Sequence, residues 1–191
     1  MLQIRVPPVG RHGYGAGMTE GMRLRPVTEA DLDFLEEMGN DPESIGEFNW
    51  GGFTDDAAWR RRWSENRLIE DGRTMLMVES DGETLGFVSW HKIETGQHSH
   101  VFELGISLLP PARGQGHGTA AQLMLARYLF AHNPINRIQA WTESGNVAEQ
   151  RALEKAGFVR EAVLHGYSFR DGAWRDEVLY RMLRSELPAA D

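Results

Sequence analysis

Residues 112 to 122 read ARGQGHGTAAQ, which places Gly114, Gly116 and Gly118 on alternate positions behind Arg113. Ahead of them, VFELGISLLPP (101 to 111) is rich in β-branched and large apolar residues and stops at two prolines, so it reads as a strand. Behind them, TAAQLMLARYLFAH puts Ala120, Leu123, Met124, Arg127 and Tyr128 at helical spacing. Strand, glycine loop and helix therefore follow one another. Glycine removes the side chain that would hold a ligand off the backbone. The unpaired amides and positive dipole end of a helix start then favour a phosphate-bearing ligand. By spelling alone, a tight βα turn with no ligand explains the glycines equally well. Other phosphate loops are excluded: Thr119 stands where the pattern G-x-G-x-x-G needs its last glycine, and no GK[ST] occurs for a P-loop.

The flanking segments predict the rest of the fold. MRLRPVT (22 to 28) reads as a strand, and Thr28 with Asp31 opens an acidic amphipathic helix to about Gly39. DDAAWRRRWSENRLIEDG (55 to 72) reads as a second helix. RTMLMVES and ETLGFVSW flank Asp81-Gly82, a strong hairpin signal. NRIQAWTE (136 to 143) is a further strand, NVAEQRALEKAGF (146 to 158) a helix ending at Gly157, and residues 160 to 183 a closing hairpin turned at Asp171-Gly172. The expected class is α/β in the α+β sense: a mixed sheet of about seven strands with a parallel pair at its centre, flanked by about four helices. It spans 22 to 187, behind a Gly/Pro-rich tail over 1 to 21.

In such a sheet a ligand sits beyond the carboxyl ends of the parallel strands, where the glycine loop lies. Glu103 is a carboxylate in a strand with apolar flanks, so it should be partly desolvated and suited to accept a proton. A structural salt bridge to a neighbouring arginine is the alternative for it. The formal charge of -8 argues against nucleic acid and permits amine-bearing partners. Cysteine is absent, which removes disulfides and thiol nucleophiles and suits a reducing cytoplasm. No apolar run approaches a membrane span. His98 and His100 form an H-x-H without a visible third ligand, so no metal site is predicted.

Two segments taken together resemble the GNAT N-acetyltransferases, specifically their RimJ/RimL type. They are FELGISLLPPARGQGHGTAAQLML and IQAWTESGNVAEQRALEKAGF. The resemblance implies the GNAT fold and acetyl-CoA as co-substrate, with its pyrophosphate on the amides of Gly114, Gln115, Gly116, His117, Gly118 and Thr119, beside the charge of Arg113. It implies a pantetheine arm along Ile106, Ser107 and Leu108, with Asn146 as a further contact. It also implies a proton-accepting role for Glu103. The acceptor is then a small amine or a protein N-terminal α-amine, gripped from the region of Trp50, Phe53, Trp90 and His91, and the resemblance allows a homodimer. Two positions depart from the family. The tyrosine that many relatives carry seven residues after the asparagine is Leu153, and the serine three residues after it is Glu149. Tyr167 and Ser144 remain as candidate acids. Asn146 and Glu149 spell N-x-x-E, a capping box. A non-catalytic acyl-CoA sensor is the alternative function.

Overall fold

The computed structural model describes residues 21–55, 57–69 and 73–189, so the tail over 1 to 20 and the end of the predicted second helix lie outside the described residues. Asp81 and Gly82 take φ 51° and 87°, both in the left-handed region, and the chain turns there as an Asp-Gly hairpin should. β2 (Arg73–Ser80) thereby pairs antiparallel with β3 (Glu83–Gly96). Asp171 and Gly172 repeat the device at φ 48° and 74°, closing β6 (Val159–Arg170) against β7 (Ala173–Leu183). With β1 (Met22–Pro26), β4 (Ser99–Leu108) and β5 (Arg137–Glu143), the seven strands form one sheet in the order β1-β2-β3-β4-β5-β7-β6. Only β4 and β5 among these neighbours run parallel.

The run TMLMV in β2 is buried at every position because both faces of the sheet are covered. Leu76 and Val78 face α4 (His117–His132), packing with Leu125, Leu129, Leu104 and Ile138. Met75 and Met77 face the other way, against Leu32 and Leu35 of α1 (Leu32–Asn40) and Trp63 of α3 (Ala58–Asn66). α5 (Val147–Lys155) adds Leu153 to the first of these cores. One element escapes the sequence reading: α2 (Pro42–Ile45), a single turn started by Asp41, whose carboxylate accepts from the Glu43 and Ser44 N–H groups.

Thr28 and Asp31 form the predicted capping box, and Asp31 does more. Its carboxylate takes two hydrogen bonds of 2.7 Å from Arg25, and others from the Thr28 N–H and hydroxyl, while Arg25 Nε reaches Glu79 at 2.6 Å. Burial pushes the Asp31 pKa up, yet Arg25 and Thr28 outweigh it and bring the value down to about 2. A depressed carboxylate contributes stability above its unfolded value that disappears as pH falls through the folded one. Asp31→Asn should therefore cost about 2 kcal/mol at pH 6. Thermal melts should show the gap to the parent closing toward pH 2. A gap independent of pH would remove the ion pair from the account.

Candidate active site

β4 and β5 pair only from Phe102 opposite Ile138 to Leu104 opposite Ala140. Beyond that point each is held by its outer neighbour. β3 keeps β4 through Leu108, with the Leu109 N–H donating to the Leu85 carbonyl at 2.8 Å. β7 keeps β5 through Glu143, with the Ser144 N–H donating to the Asp176 carbonyl at 2.8 Å. The strands part, and the edge of β4 from Gly105 to Leu108 that faced β5 loses its strand partner.

A cleft of about 680 Å³ opens at this parting. Ile106, Ser107 and Leu108 form one wall, Gly114, Gly116, Gly118 and Thr119 the floor, and Asn146 and Glu149 of α5 the other wall. Gly116 is the N-cap of α4 at φ 86° and brings no side-chain cap, so the first-turn amides of this helix are left for a ligand. Gly114 stands at φ 72° with open space where a Cβ would go. Arg113, Arg151 and Lys155 also line the cleft, three cations in a chain of net charge -8. Arg113 Nε donates to the Leu108 carbonyl at 2.8 Å, and its guanidinium reaches the Ser44 carbonyl, which docks α2 on the loop. Gln115 and His117 do not line the cleft. They bond the carbonyls of Pro111 and Ala112 and so hold the loop's shape. Phe48 and Asn49 complete the cover, with Asn49 donating to the Ile106 carbonyl at 3.3 Å.

Glu103 sits at the last paired stretch, just before the strands part. Its Oε2 accepts from Gln139 Nε2 at 2.9 Å and from the Trp141 indole N–H, while Oε1 faces His91 Nε2 at 3.6 Å. The side chain is 21% exposed. Its partners are thus two neutral donors and an imidazole rather than an arginine. Tyr167 stacks on Trp141 with ring centroids 5.5 Å apart and does not line the cleft. Ser144 is exposed and also outside it. Trp50 packs edge-on to Phe53 at 5.2 Å, and Phe53 is exposed. Trp90 points into the core against Tyr128, because alternation along β3 turns it to the side opposite His91.

The capping box at α5 forms by half. Asn146 Oδ1 accepts from the Glu149 N–H at 3.2 Å, but the Asn146 N–H donates to the Glu143 carbonyl at 2.8 Å instead of to Glu149. Glu149 lines the cleft, and burial lifts its pKa to about 7 against a smaller opposing effect of Gln122.

A family model for the acetyltransferase (GNAT) domain matches residues 22–159. The chain belongs to the GNAT acetyltransferase family. This GNAT protein is an acyl-CoA-dependent N-acetyltransferase with acetyl-CoA as its co-substrate. Its sequence is 26% identical over 167 residues to the prophage-derived N-acetyltransferase YokL of Bacillus subtilis, covering 87% of this chain and 92% of YokL. It is 28% identical over 172 residues to the N-acetyltransferase p20 of Bacillus licheniformis, covering 88% and 96%. Its fold superposes on spermidine N-acetyltransferase from Vibrio cholerae, solved with CoA and spermine, at TM-score 0.76, 20% identity, and coverage of 87% and 98%. The ribosomal alpha-N-protein acetyltransferase RimL, solved with coenzyme A, gives TM-score 0.72 at 17% identity, covering 87% and 96%. Among the described residues no helix is long and apolar enough to cross a membrane, and no group of three or more His, Asp or Glu is placed to hold a metal.

Proposed function

We propose that this acetyltransferase moves an acetyl group from acetyl-CoA to a primary amine by direct attack, with Glu103 taking the amine's proton. The observation that carries the reading is the position of Glu103, fixed by Gln139 and Trp141 where the cleft wall begins. The cleft residues fit the co-substrate. The α4 amides, Arg113, Arg151 and Lys155 suit its phosphates, and the edge of Ile106 to Leu108, which has no strand partner on the β5 side, suits the amide groups of its arm. A thioester is already activated, so the protein has to align a neutral amine and remove one proton, directly or through water. With no cysteine in the chain, a thiol-linked acyl-enzyme is excluded. The acceptor is a small amine or a protein α-amine. Spermidine N-acetyltransferase and RimL, which share the fold, act on one of each kind. The negative net charge suits either acceptor, and a reducing cytoplasm suits a cysteine-free enzyme.

A thiol-release screen with acetyl-, propionyl- and succinyl-CoA against amines and N-terminal peptides identifies the acceptor. Gly118→Ala tests the cleft in the same assay. A Cβ there would lie 3.8 Å from Leu108 Cδ1 and 4.0 Å from Ile106 Cδ1, ordinary contacts that the fold tolerates. Alanine favours the helix by about 1 kcal/mol over glycine, so the melting temperature should hold or rise. The added methyl stands in the cofactor's path, and acetyl-CoA affinity should fall about ten-fold. Unchanged affinity by calorimetry would reduce the glycine loop to a turn.

A further inference from the structure

The spacing N-x-x-E directs a glutamate back to the helix N-cap, yet Glu149 makes no such bond, because the Asn146 N–H is already taken by the Glu143 carbonyl. Glu149 lines the cleft instead. From α4 it faces Gln122, which is fully buried and whose amide atoms make no hydrogen bond of full geometry. Gly118 and Thr119 of α4 and Ser107 of β4 line the same space without charge. On α5 itself, Arg151 and Lys155 also line the cleft, but among the described residues no ion pair to Glu149 forms. Glu154 is engaged elsewhere, by the Tyr180 hydroxyl at 3.0 Å. Burial raises the pKa of this carboxyl to about 7 against the smaller opposing effect of Gln122, so its protonated form is well populated near neutral pH. Neither Tyr167 nor Ser144 reaches this space.

We propose that Glu149, in its protonated form, is the proton donor to the sulfur of CoA as the thioester breaks. The assignment rests on the cleft and the Glu103 role given above. The amine nitrogen forms a bond to the acetyl carbon, and the carbon–sulfur bond breaks with its electron pair going to sulfur. Glu103 receives the proton from nitrogen, and Glu149 gives one to sulfur. The products are an acetamide and a neutral thiol, and solvent returns the proton from one carboxyl to the other. A thiol titrates near about 8.5, so donation from a carboxyl that titrates near 7 runs downhill.

Glutamate side-chain carbons observed by 13C NMR test the contact without any acceptor. A resonance missing from Glu149→Gln should titrate near pH 7 in the parent protein. CoA should displace that titration further than desulfo-CoA, which lacks only the sulfur. With the amine found in the screen, Glu149→Gln should lower kcat about ten-fold or more and abolish the fall in rate that the parent shows above neutral pH. The mutant should melt as a folded protein and bind desulfo-CoA as the parent does. Equal titrations with the two cofactors, or full kcat in the mutant at every pH, would overturn the assignment while leaving the cofactor cleft intact. Failure of the parent protein to bind CoA at all would remove the cleft reading and this assignment together.

Discussion

Glu103→Gln should lower kcat about 100-fold and leave acetyl-CoA affinity unchanged. The substitution keeps the shape of the side chain. The carbonyl oxygen of the new amide still accepts from Gln139 and Trp141, and its NH₂ group faces the His91 imidazole, so no buried donor is orphaned. Glu103 also lies outside the lining of the cofactor cleft, which is why binding should not move. Only the ability to take a proton is lost. In the mutant, the pH dependence that remains should be that of the amine and of Glu149, with the contribution of Glu103 gone. Full activity at every pH would remove Glu103 from the chemistry and leave His91 and Glu143 as the next groups to replace. Glu143 enters that contest encumbered, since Arg170 holds it by two hydrogen bonds.

Gly86→Ala should damage the fold severely. Gly86 lies at φ 148°, and a Cβ would stand 2.1 Å from the Ser107 carbonyl oxygen and 2.8 Å from the Leu108 Cα. Both are backbone atoms of β4 in the middle of the sheet, so no side chain can swing aside. The expected loss is about 3 kcal/mol or more, a fall in Tm of about 10 °C. Ser107 and Leu108 also form a wall of the cleft, so acetyl-CoA binding should weaken with them. Gly82→Ala is the comparison: φ there is 87° with nothing within 4 Å, leaving backbone strain of about 1 kcal/mol. Equal melting losses for the two variants would mean that β4 yields at Ser107 and that the close approach is not a constraint.

Asp81-Gly82, Asp171-Gly172 and the alternate glycines from Gly114 act over a few residues, and each was legible from the chain alone. So were seven strands and the parallel unit, because strand and helix periodicities are local and the order of elements leaves few topologies. The pair of motifs around Gly116 and Asn146 carried the family for the same reason: each is a contiguous spelling. Tertiary structure decided what those spellings meet. Glu103 is gripped by Gln139 and Trp141, 36 and 38 residues away, and no local pattern announces that pairing. Trp90, beside His91 in sequence, is sent into the core by strand alternation that only the placement of α4 gives a direction. Phe48 and Asn49 cover the cleft because Asp41 starts a turn of helix that Arg113 then docks. Glu149 shows the division most sharply. Its spacing from Asn146 specifies a cap, but the Glu143 carbonyl takes the same N–H, and Glu149 instead lines a cleft formed by strands that come together only in the folded chain.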